Sequence, residues 1–225
     1  MKRYACVGAL LSAGWIAYGC GGSAPSASAP SGSLVAVSSR SCARLHPDTG
    51  PSRATIDRQG GAVALAKLGD RSIAYVADAD SQAIHTVDVD RGTEIADTPI
   101  DGEPSNLLVL ADGRVAVTLK DKAELAVFEP SANADQALEL RCTADTPAEP
   151  VGLTLTPDDS TLLVASAWGR ALTAMDSEDL VPKFAVDLKR DARAVVVDDA
   201  GRRAFVSHGV GAEVSVVDPT GKQDR

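Results

Sequence analysis

The sequence predicts an all-β protein built from four-stranded units that repeat about every 42 residues, and three observations predict it. Five β-prone stretches end in acidic or turn-forming clusters: Leu45-His46-Pro47-Asp48-Thr49-Gly50, Val87-Asp88-Val89-Asp90-Arg91-Gly92, Phe128-Glu129-Pro130, Met175-Asp176-Ser177 and Val217-Asp218-Pro219-Thr220-Gly221. Counted from their first residues, they step by 42, 41, 47 and 42. A second set of β-runs, Ile73 to Ala77, Val115 to Leu119, Leu162 to Ser166 and Ala204 to Ser207, steps by 42, 47 and 42. The long step falls at one place in both series and reads as a single loop insertion around Arg141 to Pro150. Finally, the runs are rich in Val, Leu, Ile and Thr, show no helical period and are separated by Asp-, Gly- and Pro-containing turns. Four short strands per 42 residues is the arithmetic of a β-propeller blade.

From the N-terminus, Met1-Lys2-Arg3 is a basic head and Tyr4 to Tyr18 carries no charge. The apolar run is shorter than the roughly 20 residues a membrane-spanning helix needs and fits a secretory signal peptide over residues 1–19. Ala17-Tyr18-Gly19-Cys20 resembles a bacterial lipobox, which implies that Cys20 is acylated and becomes the mature N-terminus. It departs from the usual pattern at Ala17 and Tyr18. Residues after Cys20, through Ser33, are only Gly, Ser, Ala and Pro, so 20–33 is a lipidated tether that cannot bury enough apolar surface to fold. The expected location is the envelope of a Gram-negative bacterium, periplasmic or at the outer membrane, with the lipid as the membrane partner.

The β-propeller is expected over 34–225: full blades at 62–100, 105–141 and 151–188, and partial ones at 34–57 and 192–219. The N-terminal piece is expected to supply strands b, c and d of its blade and the C-terminal piece a, b and c. Their overlap leaves the ring open, either because one strand is misplaced in a closed five-bladed ring or because these are the first blades of a longer propeller. The second is the expectation taken forward.

Tyr75-Val76-Ala77-Asp78 and Phe205-Val206-Ser207-His208, with the Val-Asp-Pro-Thr-Gly type turns, resemble the YVTN-repeat propellers of the YncE-like and lactonase-like groups. The likeness covers residues 60 to 221. Asp78 and His208 stand where the namesake motif has Asn. WD40 signatures are absent. The lactonase-like relatives work with charged residues in the central channel, none of which can be matched to a position here.

Chemistry is sparse. There are 22 basic against 31 acidic residues, a net charge of −9, so nucleic acid is not an expected partner. His46, His85 and His208 fall in different repeats and do not assemble a zinc site by themselves. Asp78-Ala79-Asp80-Ser81-Gln82 begins like a calcium loop but lacks its glycine and closing glutamate. No haem-attachment motif, nucleophile elbow or phosphate loop occurs, so no cofactor, metal or catalytic residue is expected. Cys42 and Cys142 form either a disulfide, as an oxidising compartment favours, or two separate buried thiols. Glu103, Asn106, Glu149 and Arg193 occupy corresponding loops leading into the inner strands and are expected to face a ligand. The expected function is a non-catalytic binding or scaffolding module for a protein or small molecule. The alternative is a lactonase-like hydrolase or the propeller part of a periplasmic haem or redox protein.

One prediction follows from the N-terminus alone. Metabolic labelling with an alkyne fatty acid should tag the wild-type protein and leave Cys20→Ala unlabelled; equal labelling of both would remove the anchor.

Overall fold

The computed structural model describes residues 41–46, 49–54 and 58–221. The expected signal segment, Cys20, the expected tether and the start of the expected first partial blade lie outside the described residues. Among the described residues sixteen strands form four antiparallel sheets, each a meander in sequence order. The first contains β2 (Val63–Leu68), β3 (Arg71–Asp78), β4 (Ala83–Asp88) and β5 (Thr93–Pro99), with the two-residue β1 (Ser52–Arg53) added beside β2. The second contains β6 (Pro104–Val109), β7 (Val115–Leu119), β8 (Glu124–Glu129) and β9 (Glu139–Asp145). The third contains β10 (Pro150–Leu155), β11 (Thr161–Ser166), β12 (Ala171–Asp176) and β13 (Pro182–Asp187). The fourth has three strands, β14 (Ala192–Val197), β15 (Ala204–His208) and β16 (Val214–Val217).

Each sheet packs on the next through its inner strands, while the first and fourth make no comparable contact, so the blades form an open propeller. Burial follows from that position. Leu107 and Val109 face the first sheet while Leu108 and Leu110 face the third, so β6 is apolar on both sides. In the third sheet, Leu162 and Val164 pack against the second and Leu163 and Ala165 against the fourth. In the fourth sheet only one face is covered, and Val196, Val214 and Val216 are exposed.

Three details of the expected layout are corrected. The insertion does not lie around 141–150. The linkers between consecutive sheets are equal in length, and the extra residues lie at 130–138, between β8 and β9. There Ala134 and Leu138 are buried in the cluster between the first two sheets, and the Leu138 N–H donates to Thr98 Oγ1 at 2.8 Å, so the longer turn seals that seam. Cys142 therefore sits inside the outer strand β9, not after it. The described residues of the N-terminal piece, 41–46 and 49–54, do not form the expected strands b, c and d. Among them only β1 is a strand, and the described residues from 41 to 61 act as a strap that touches all four sheets.

The strap begins at a Cys42–Cys142 disulfide whose Cα atoms are 4.9 Å apart. Glu129, nearly fully buried at the end of β8, then accepts the backbone N–H groups of Leu45 (2.7 Å) and His46 (2.9 Å) and faces Arg44 and Arg141. Beyond it, Pro51 crosses so close above Gly113 that no Cβ fits there, and the φ of +89° at Gly113 suits glycine independently. Arg53 then grips Asp159 with two bonds of 2.7 and 2.9 Å, and Arg58 reaches Asp199 at 3.0 Å. The carbonyl of Arg58 accepts Leu155 N–H, Gly60 donates to Leu153, and Gly61 exchanges two bonds with Leu107. Thus residues 58–61 supply backbone pairing between the inner edges of the second and third sheets.

Two predictions arise. The bridge closes a loop across a sequence separation of 100, for which the chain-entropy model gives about 4–5 kcal/mol. Cys42→Ser with Cys142→Ser should lower the urea-unfolding free energy by about 2–5 kcal/mol, and an unchanged midpoint would show that packing alone holds the strap. The second concerns acid. Burial pushes the Glu129 carboxyl up, but the N–H donors of Leu45 and His46 and the Arg44 guanidinium outweigh it and hold its pKa below the usual glutamate value. A folded pKa below the unfolded one contributes stability above the unfolded value, and that contribution is lost as pH falls through the folded value. The stability gap between wild type and Glu129→Gln should therefore be largest near neutral pH and shrink below about pH 4. A gap constant from about pH 7 to about pH 2 would mean the carboxylate charge is not what counts.

Candidate functional site

The ends of the sheets opposite the strap carry the sheet-to-sheet linkers and the turns between second and third strands. Between the third and fourth sheets these loops surround a cleft of about 360 Å³ lined by Glu149, Ala167, Trp168, Arg170, Arg190, Asp191, Arg193 and Val210.

Local hydrogen bonds fix its walls. The linker before β10 is tied to the β11–β12 turn: Ala167 N–H donates to the Glu149 carbonyl at 2.9 Å and Gly169 N–H to Ala148 at 2.8 Å. Gly169 lies against Pro147 with no space for a side chain. The next linker is held from both sides, by Leu188 N–H on the Arg170 carbonyl (2.7 Å) and by Gly209 N–H on Asp191 (2.8 Å). His208 steadies the same linker, its Nδ1 lying 2.9 Å from the Arg190 carbonyl and its Nε2 2.9 Å from Ser215 Oγ. Glu149, Arg170 and Asp191 all have left-handed backbones, with φ of +61°, +50° and +60°. Such conformations cost non-glycine residues energy and persist where the surrounding bonds dictate them.

Three guanidiniums and two carboxylates line the cleft, a locally positive spot on an acidic protein. Arg193 Nη2 pairs with Asp191 Oδ1 at 2.5 Å. Among the described residues, Arg170 and Arg190 have no carboxylate partner. Trp168, one of two tryptophans in the sequence, is 80% exposed at the rim. The cleft therefore offers a broad aromatic face and cationic groups together.

Of the four loop residues singled out by the repeat, the structure brings together Glu149 and Arg193. Glu103 lies two sheets away, with Oε2 3.6 Å from Lys120 Nζ. Asn106 is on β6 and is used between blades: its side-chain amide donates to the Val151 carbonyl and its N–H donates to Thr118 Oγ1 at 3.0 Å. Sequence reasoning missed Trp168, Arg170 and Arg190. Trp168 could have been found as the lone tryptophan of the repeat region, placed in a polar turn. The Asp78 loop closes on itself, with Oδ1 accepting Asp80 and Ser81 N–H at 2.9 and 3.0 Å, as a polar turn does.

No family model matches the sequence, and no curated protein matches it. Solved structures do resemble the fold. Kuenenia stuttgartiensis hydrazine synthase is 15% identical, with a TM-score of 0.58 over 65% of this chain and 42% of that one. A putative 6-phosphogluconolactonase from Bacteroides fragilis is 12% identical, with a TM-score of 0.57 over 78% and 56%. The β-propeller domain of Cps50 (Swd1) from Myceliophteria thermophila is 9% identical, with a TM-score of 0.56 over 70% and 52%. This chain thus spans about half the length of these relatives in fold. Identities this low establish the propeller architecture and nothing about chemistry.

Proposed function

We propose that this protein is a non-catalytic binding module on an envelope-anchored lipoprotein, and that it takes its ligand in the cleft between the third and fourth sheets. The ligand carries an anionic group for Arg170, Arg190 and Arg193 and a flat face that lies on Trp168. The observation that carries the reading is that the exposed Trp168 ring shares one cleft with the guanidiniums of Arg170 and Arg190, which have no carboxylate partner among the described residues. Arginine recognises carboxylate and phosphate through its planar fork, and an indole offers a large rigid contact at little entropic cost. No Ser, Cys or His lines the cleft, so the acyl-transfer chemistry of a nucleophile and base has no starting group there. The acylated Cys20 and the tether would hold the cleft clear of the membrane, as the lipobox resemblance implies.

Trp168 is also the reporter. In a Trp15→Phe background, benzoate (flat and anionic) should quench the emission saturably, phosphate should compete, and neutral benzyl alcohol should do neither. Arg190→Ala and Arg193→Ala should each weaken benzoate binding by about tenfold. Absence of a saturable response to either anion would defeat the assignment, and hydrolysis of lactones by the purified protein would overturn its non-catalytic half.

A further inference from the structure

The outer face of the first sheet carries a second cluster that the cleft does not use. Its groups come from β4 and β5: His85 Nδ1 lies 2.9 Å from Glu94 Oε1 and 3.6 Å from Asp97 Oδ1, and the three donor atoms lie within 4.8 Å of one another. Around a metal at the usual bond lengths of about 2.0–2.2 Å, tetrahedral ligand atoms stand about 3.3 Å apart. The two spacings from the imidazole bracket that value. On the other side of the ring, Nε2 lies 3.4 Å from Asp78 Oδ2, and Asp78 is itself immobilised through Oδ1 by two backbone N–H groups. A carboxylate on the far nitrogen of an imidazole is the arrangement that orients and strengthens metal-binding histidines.

The backbone explains how three donors meet. His85 is the register partner of Asp97, which places both on one face. A β-bulge between Thr86 and Val87 then leaves Ile95 unpaired and turns Glu94 to face the same side. The same bulge recurs in the next two sheets, so it belongs to the blade. The positions corresponding to His85, Asp97 and Glu94 are Ala126, Thr143 and Leu140 in the second sheet, and Thr173, Ala185 and Pro182 in the third. None of these six residues is titratable, and Ala126 and Thr173 are buried. On the exposed face of the first sheet, by contrast, one imidazole has three carboxylates around it.

We propose that His85, Glu94 and Asp97 bind a divalent transition metal of the zinc class, with Asp78 positioning His85 and water completing the shell. The nitrogen ligand favours zinc, copper or nickel over calcium and magnesium, which prefer oxygen alone. Titration of Zn²⁺ into the purified protein, with any free thiol alkylated beforehand, should reveal one site by calorimetry, and Co²⁺ should give a visible absorption band free of thiolate charge transfer. His85→Ala should abolish the site, and Asp97→Asn should weaken it. Asp78→Asn should lower affinity about 10–100-fold while leaving the stoichiometry at one, as expected of a group that only orients the ligand. Circular dichroism would check that each variant folds. Failure of the wild type to bind, or binding equal in wild type, His85→Ala and Asp97→Asn, would overturn the assignment.

Discussion

The arrangement of the sheets depends on one buried guanidinium. Arg114, in the turn between β6 and β7, is only 4% exposed. It donates to Asp112 Oδ2 at 2.6 Å, to the Cys42 carbonyl at 2.7 Å, to Glu178 at 2.9 Å and to Ser177 at 3.2 Å. One side chain therefore fastens the strap, the second sheet and the third sheet at a single point. Isolated in a protein interior, such a charge would be prohibitive; here one carboxylate and three carbonyls replace its water. The disulfide joins the strap to the same seam, and Glu129 anchors the residues that follow. Everything the strap does further along, from Arg53 to Gly61, starts from that fixed end.

The periodicity was legible in the sequence because blades bury their strands in a fixed order. The two β-run series mark third strands (Val87, Phe128, Met175, Val217) and second strands (Ile73, Val115, Leu162, Ala204), and both fall in their expected sheets. The strap was not legible. Leu45 to Gly50 has the composition and spacing of a third-strand end, yet a strand is defined by its neighbours, and the described residues there meet side chains and turns instead. The insertion was bracketed by the period but misplaced inside it, because residues 141–150 look loop-like while Ala134 and Leu138 are needed against the first sheet. Two cleft residues, Glu149 and Arg193, were within reach because the repeat puts them at the mouths of inner strands. Arg170 and Arg190 were not, since only the docking of two sheets aims them at one cleft. His85 was weighed only against the other histidines, and a bulge that swings Glu94 across the strand leaves no mark in composition.

The left-handed turns show the same limit. Gln82, Ala123, Arg170 and Ala212 all have positive φ just before a third strand, and none is glycine. The repeat geometry, enforced by a ladder on each side, imposes the conformation on whatever residue stands there. At three of these positions the side chain is incidental. At Arg170 the same enforced backbone delivers a cation to the cleft.

The strap also alters the kind of polymer this is. A stack of sheets that touch only their neighbours behaves as a one-dimensional array, able to nucleate anywhere and to fray from either end. Here the chain leaves a bridge to the second sheet, adds an edge to the first, pairs with the inner strands of the second and third and reaches the fourth before the first full blade begins. Its contacts join residues far apart in sequence, so they raise the contact order of an otherwise local fold and can form only after the later sheets exist. The first stretch of the folded region to be synthesised is then the last to be seated. That ordering slows assembly, and once complete it turns four separable units into one cooperative transition.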